Sequence, residues 1–226
     1  QPEAKIGEMI VFLSAKGGTG TSSLCANLAM CLGKTTSNLR IAVIDLVLPI
    51  GSIASIVGYD QRLNLINATA PSRHELTPAF FRGALPRLPA WYFHLLAGSP
   101  DPGSANQLNV DNLAHVITAI QQAYDYVFVD LGRSLSRLSL PVIHKADLLA
   151  LVLSTDAACV SLTRKVLDYL AAQKVERQRI VPLLNRVVGL EGISKADMEK
   201  ALGMEMRAVL PYMGGNFGVA NMRHEP

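Results

Sequence analysis

Charged residues are scarce in this chain. Asp, Glu, Lys and Arg make up only 17% of its 226 residues, against 50% hydrophobic, and the formal net charge is +3. That balance excludes a disordered segment, which would lack apolar surface to bury, and supplies a core for one α/β domain spanning residues 1–226. The mild positive charge permits contact with an acidic surface but does not argue for nucleic acid. Lys174, Arg177 and Arg179 gather around Glu176, a pattern that suits either a solvated helix end or a small binding patch. Apolar runs never reach the ~18 residues a membrane span requires, and no signal-peptide pattern opens the chain. Cys25, Cys31 and Cys159 form no C-x-x-C pair and sit in apolar segments, so buried thiols in a reducing compartment are expected. His74, His94, His115, His144 and His224 lack ligand spacing, which disfavours a metal site built from protein alone. No Ser/His/Asp arrangement, internal repeat or low-complexity tract is present. A soluble, cytoplasmic protein is the expectation.

Apolar runs of strand length alternate with helical patterns. Strands are expected at Met9–Ser14, Arg40–Asp45, Tyr92–Gly98, Tyr126–Asp130, Asp147–Ser154, Arg179–Asn185 and Arg207–Tyr212. Helices are expected near Ser22–Leu32, Asp111–Ala123 and Ala157–Gln173. The strands are continuous apolar runs rather than alternating ones, as a parallel sheet covered on both faces demands. The order predicts a doubly wound α/β fold with helices on both faces of a mainly parallel sheet. Ligands of such sheets bind beyond the carboxyl ends of the strands, where the Gly17–Gly20 loop, Asp45, Asp130 and Asn185 fall. The proline-punctuated segment Asn67–Pro89 gives the weakest signal.

The stretch Ala15–Ser23 (AKGGTGTSS) follows the first strand. Gly17, Gly18 and Gly20 let the backbone of Gly17–Ser23 point successive N–H groups into one concavity, and the next helix adds its positive dipole end. Ser22 takes the position whose hydroxyl would ligate Mg²⁺ directly. The usual lysine slot of a phosphate loop holds Thr21, and a lysine stands five positions earlier, at Lys16.

The stretch resembles the deviant Walker A of the MinD/ParA family, K-G-G-x-G-K-[ST]. The resemblance implies that Lys16 reaches a partner subunit's nucleotide in trans, so that ATP with Mg²⁺ becomes part of a homodimer interface. It continues through Arg40–Asp60, read as the first switch, then Ala123–Ser136 (AYDYVFVDLGRSLS), read as the Walker B strand and second switch, and Val181–Val188 (VPLLNRVV), which carries an adenine-reading Asn185. Arg186, Pro211 and Tyr212 are the expected walls of that base pocket. Within the family the chain is most similar to the CpaE/TadZ branch of tight-adherence (Flp) pilus assembly, on the motifs SAKGGTGTSS, DLVLPIGS, YDYVFVDLGRS, ISKADMEKALG and NMRHEP. That branch implies pilus-assembly or polar-localisation partners, a polar or inner-membrane-peripheral location, and excision from a longer chain with an N-terminal receiver-like domain.

Asp45 and Asp130 each end an apolar strand, either as loop caps or as holders of Mg²⁺ through water. The family's D-x-D triplet reads Asp45-Leu46-Val47 here, and valine cannot orient an attacking water. Losing one positioned group typically costs ~10²–10³ in rate, and the missing loop lysine removes further charge stabilisation. Slow or absent hydrolysis with retained ATP binding is therefore expected; Ser52 stands nearby as a candidate replacement, with nothing in the sequence to show that it serves as one. In the second switch Gly132 stands where the relatives carry proline, and Arg133 either couples nucleotide to a partner or makes a surface salt bridge. Two other readings compete: an active ParA/MinD-type ATPase cycling on DNA or membrane, and a metabolic P-loop enzyme, which would need the lysine that Thr21 replaces. No cysteine sits at either switch to suit a nitrogenase-reductase-like carrier.

Overall fold

The computed structural model describes residues 6–36, 38–186 and 192–226. Its eight strands are β1 (Glu8–Ser14), β2 (Ile41–Asp45), β3 (Arg87–Leu88), β4 (Phe93–Leu96), β5 (Tyr126–Asp130), β6 (Leu148–Leu153), β7 (Ile180–Asn185) and β8 (Ala208–Leu210). They form one sheet in the order β3-β4-β2-β5-β1-β6-β7-β8, parallel throughout except for β3, which runs antiparallel to β4. The doubly wound, mainly parallel fold expected from the sequence is the one observed.

Side-chain alternation explains the unbroken apolar runs. Along β1, Met9, Val11 and Leu13 enter one hydrophobic cluster and Phe12 the other. Because successive residues point to opposite faces, a strand covered on both sides must be apolar at every position. The first cluster lies under α3 (Leu65–Thr69), α4 (Pro78–Ala84), α6 (Val110–Ala123), α8 (Ala157–Ala172) and α9 (Lys195–Leu202). The second lies under α1 (Thr21–Thr35), α2 (Ile53–Val57) and Trp91. Helix α7 (Leu140–Lys145) adds Val142 and Ile143 to the first cluster, and the remaining helices are α5 (Pro102–Ala105) and α10 (Gly214–Met222). Among the described residues no helix is long and apolar enough to cross a membrane.

One sequence expectation changes and another is refined. Cys25 and Cys159 are buried, but Cys31 is exposed, because the inward stripe of α1 runs through Leu24, Cys25 and Ala29 and turns Cys31 outward. The basic group near Arg177 follows the end of α8, with Lys174 and Arg177 exposed, and two of its arginines also bind the ends of other helices. Arg177 Nη2 donates to the carbonyls of Leu202 (3.3 Å) and Gly203 (2.6 Å) at the end of α9, and Arg179 Nη2 to those of Ile143 (2.9 Å), His144 and Ala146 at the end of α7. Both guanidinium groups therefore satisfy carbonyls that a helix C-terminus leaves without partners, where its dipole also favours a cation.

Candidate functional site

The carboxyl ends of the parallel strands gather most of the residues singled out above. Ser14 ends β1, and the chain turns through Ala15–Gly20 into α1. Gly20, the residue before the helix, has φ +80°, a left-handed conformation that glycine adopts without strain. Gly17 and Gly18 are exposed, with open space where a Cβ would stand. The loop is pinned from below: Ser14 Oγ donates to the carbonyls of Lys16 (2.9 Å) and Gly132 (3.1 Å). Thr19 and Thr21 are buried, and their hydroxyls lie 2.8 Å apart. Thr21 thus turns inward, where its hydroxyl supports Thr19 within the loop. Ser22 and Ser23 are half-buried on the first turn of α1.

Asp45 and Asp130 face each other as register partners on β2 and β5, and both are fully buried. Their environments differ. Asp45 Oδ1 accepts the Val47 amide (3.0 Å) and Oδ2 the Ile53 amide (2.9 Å). Two glycines close over it: a Cβ on Gly98 would stand 2.6 Å from Gly51 Cα and 3.1 Å from Asp45 Cγ. The water-mediated Mg²⁺ role expected for Asp45 meets a carboxylate already engaged in holding its own loop. Burial, reinforced by the neighbouring Asp130 carboxylate, pushes the Asp45 pKa up to about 7 against the pull of the three amides around it. Asp130 is also pushed up by burial, opposed by the Ser22 hydroxyl and the Gly132 amide. Its Oδ1 accepts the Gly132 amide at 2.8 Å, while its Oδ2 is buried with no hydrogen-bond partner.

A buried carboxylate oxygen without a partner is costly, and it is the feature a hydrated divalent ion would satisfy. Asp130, with Ser22 beside it, therefore suits Mg²⁺ bound together with nucleotide phosphates, where the ion would neutralise phosphate charge. The same pair of carboxylates surrounds Cys25, whose thiol is raised by burial first and by Asp130 and Asp45 next.

The loops after β2 and β5 approach each other at Val47 and Gly132. Gly132 has φ +55°, which proline cannot adopt, and a Cβ placed on it would lie 3.2 Å from Val47 Cγ2. Val47 thus faces the turn after β5 with a methyl group. Ser52 donates its backbone N–H toward Asp45. Arg133, next in the chain, is exposed.

Lys16 is paired within its own chain. Its Nζ lies 3.0 Å from Asp156 Oδ2, at the mouth of the loop after β6. Asp156 Oδ1 caps α8 by accepting the Cys159 amide (2.9 Å), and Ser154 Oγ donates to Oδ2 (2.6 Å). Burial works against this carboxylate, yet Ser154, Lys16 and the Cys159 amide together hold its pKa down to about 2.

At the opposite corner, Asn185 ends β7 opposite Leu210 of β8, which brings Arg186, Pro211 and Tyr212 together. The Arg186 amide donates to the Leu210 carbonyl (3.1 Å), and Tyr212 is half-exposed. Asn185 Nδ2 donates to the Thr19 carbonyl (2.9 Å), so the side chain expected to read a base also braces the glycine loop. Its amide retains a second N–H and an oxygen for a ligand. Val187 and Val188 of the same motif lie outside the described residues.

Sequence reasoning missed Asp156, Gly51 and Gly98. The aspartate directly before a helical pattern is a recognisable N-cap, but its pairing with Lys16 is tertiary. The two glycines matter only through contacts across the loops that follow β2 and β4.

A strand–glycine loop–helix unit flanked by strand-end aspartates, set in this sheet order, gives a P-loop NTPase-like fold, the one seen in ParA and MinD structures. The chain superposes on a ParA family ATPase from Chlorobium tepidum with a TM-score of 0.86, covering 97% of this chain and 90% of that one at 20% identity. It matches the MinD protein of Pyrococcus horikoshii, solved with Mg-ADP, with a TM-score of 0.78, covering 98% and 87% at 20% identity. Curated relatives include MinD of Thermotoga maritima, 20% identical over 216 residues that cover 91% of this chain and 76% of that protein. An uncharacterised ATP-binding protein of Methanocaldococcus jannaschii is 23% identical over 178 residues, 79% of this chain and only 64% of the archaeal protein's length. No family model matches the chain.

Proposed function

We propose that this chain is a ParA/MinD-type protein that binds ATP with Mg²⁺, dimerises around the nucleotide through Lys16, and hydrolyses it slowly or not at all. Its motifs favour the CpaE/TadZ branch, with a role in positioning or assembling Flp/Tad-type pili. The observation that carries the reading is the contrast between Asp130 and Val47. Asp130 offers a buried, unpartnered oxygen for a hydrated metal, while the loop after β2 presents Val47, not a carboxylate, toward the turn at Gly132. Binding parts are retained: the amide cradle of Gly17–Ser23, the Ser22 hydroxyl, Asp130, and a base corner at Asn185, Arg186, Pro211 and Tyr212. Groups that would orient water or stabilise charge on the transferring phosphoryl are absent at Val47 and Thr21. The curated relatives named ATP-binding or MinD, and the Mg-ADP of the Pyrococcus protein, support the choice of ligand.

Sedimentation of the chain with and without Mg-ATP tests the assembly. Nucleotide-dependent dimers that disappear in Lys16→Ala, while that variant still binds ATP as a monomer, support the proposal. Dimers indifferent to nucleotide, or undiminished in Lys16→Ala, contradict it. Plasmid binding that weakens steeply with salt would instead favour an ATPase working on DNA.

A further inference from the structure

The last described segment of the chain runs from β8, at one edge of the sheet, to α2 and Trp91 in the half that carries β2 and β4. It leaves β8 at Tyr212, beside Asn185, forms α10, and lands on α2 and Trp91. Three contacts fix the landing. The Trp91 indole N–H donates to the His224 carbonyl at 3.0 Å, His224 Nδ1 lies 3.3 Å from the Ile56 carbonyl oxygen, and the His224 ring packs on bare backbone at Gly58, where a Cβ would stand 2.9 Å from it. Helix α2 in turn begins at Ile53, whose amide holds Asp45.

Between its two ends the segment is weakly held. No residue of α10 is buried, its sequence contains Gly214, Gly215 and Gly218, and His224 sits at φ +55°, an unfavourable conformation for a side-chain-bearing residue. Few buried contacts and exposed backbone mark a segment that opens locally well before the domain unfolds.

We infer that Met213–His224 is a strap that couples the base corner to the loop around Asp45, and that bound nucleotide tightens its docking on Trp91. This rests on the nucleotide-binding reading above. A ligand at the base corner orders Pro211–Tyr212, where the strap starts. A ligand at the phosphate end orders the Asp45 loop and α2, where it lands. Fixing both anchors lowers the entropy cost of docking, and by linkage docking raises nucleotide affinity by the same factor.

Trp91 is the only tryptophan in the chain, so its fluorescence reports the landing directly. Two variants move the strap in opposite directions. His224→Pro forbids the left-handed backbone at that position. Gly215→Ala with Gly218→Ala, two sites with open space for a Cβ, favours the helix by about fivefold per residue. Acrylamide quenching of Trp91, without nucleotide, is expected to rise in His224→Pro and fall in the double alanine variant. Saturating Mg-ATP is expected to lower quenching in the wild type, and nucleotide affinity by equilibrium dialysis to drop about threefold to tenfold in His224→Pro.

Equal quenching in all three proteins overturns the docking. Equal nucleotide affinity in all three overturns the coupling. If dialysis detects no binding to the wild type, the coupling falls together with the function it rests on. The nucleotide-free quenching comparison still decides the docking in that case.

Discussion

Lys16 and Asp156 form an ion pair at 3.0 Å within one chain, and Asp156 also caps α8. The lysine that the family resemblance assigns to a partner's nucleotide therefore has an intramolecular partner to leave first. Asp156→Asn keeps the cap, since asparagine serves there as well as aspartate, but removes the charge. Dimerisation with Mg-ATP is expected to strengthen by up to about fivefold in this variant, the modest amount a half-exposed pair supports. Concentration-dependent sedimentation checks it; weaker dimers would mean that Asp156 positions Lys16 for its partner instead of withholding it.

The same carboxylate sets an acid limit. Its folded pKa of about 2 lies below the ordinary 3.8, so the charged form is favoured by folding. Its contribution is present above the unfolded value and fades as pH falls through 4 toward 2. The stability gap between wild type and Asp156→Asn, measured by urea unfolding, is expected to be constant from pH 7 to 5 and to close below pH 4.

Asp130→Asn should separate metal from nucleotide. The amide preserves the side chain's shape while removing the charge beside Ser22, so the Mg²⁺-dependent part of ATP affinity is expected to fall by about tenfold or more. Affinity in EDTA is expected to stay within about twofold. Titration calorimetry with and without metal reads both, and an equal loss in the two conditions would show a structural effect only.

Gly98→Ala tests the closure over Asp45. The added methyl would stand 2.6 Å from Gly51 Cα, backbone that cannot move aside without shifting the loop. Overpacking of this kind costs about 1–3 kcal/mol, which thermal unfolding would show as a clear drop in midpoint. An unchanged midpoint would mean that the Gly51 loop yields freely.

The central strands were legible because a doubly covered parallel strand is apolar at every position: Tyr126–Asp130 coincides with β5 residue for residue. The apolar run predicts β2 from Arg40, yet the Arg40 amide donates to the Asp125 side chain and β2 begins at Ile41. The short helices α2 to α4 were not legible, since one or two turns carry no periodicity and are held by tertiary contacts. Helix α10 was hidden by its three glycines, and β3 by having only two residues. In the candidate site, the convergence of the glycine loop, Asp130, Asn185 and Pro211–Tyr212 followed from their places at strand ends. The pairing of Lys16 with Asp156 and the inward turn of Thr21 depend on neighbours distant in sequence or on side-chain direction, which no local pattern records.

The account stands on ATP being held for assembly more than spent, and one experiment measures both terms: phosphate release per bound ATP in the wild type beside Thr21→Lys/Val47→Asp. The prediction is saturable ATP binding with wild-type turnover below about 0.01 s⁻¹, two or more decades under the ordinary enzyme range. Restoring both groups is expected to raise it by ~10²-fold. Wild-type turnover of about 1 s⁻¹ or faster would contradict the account.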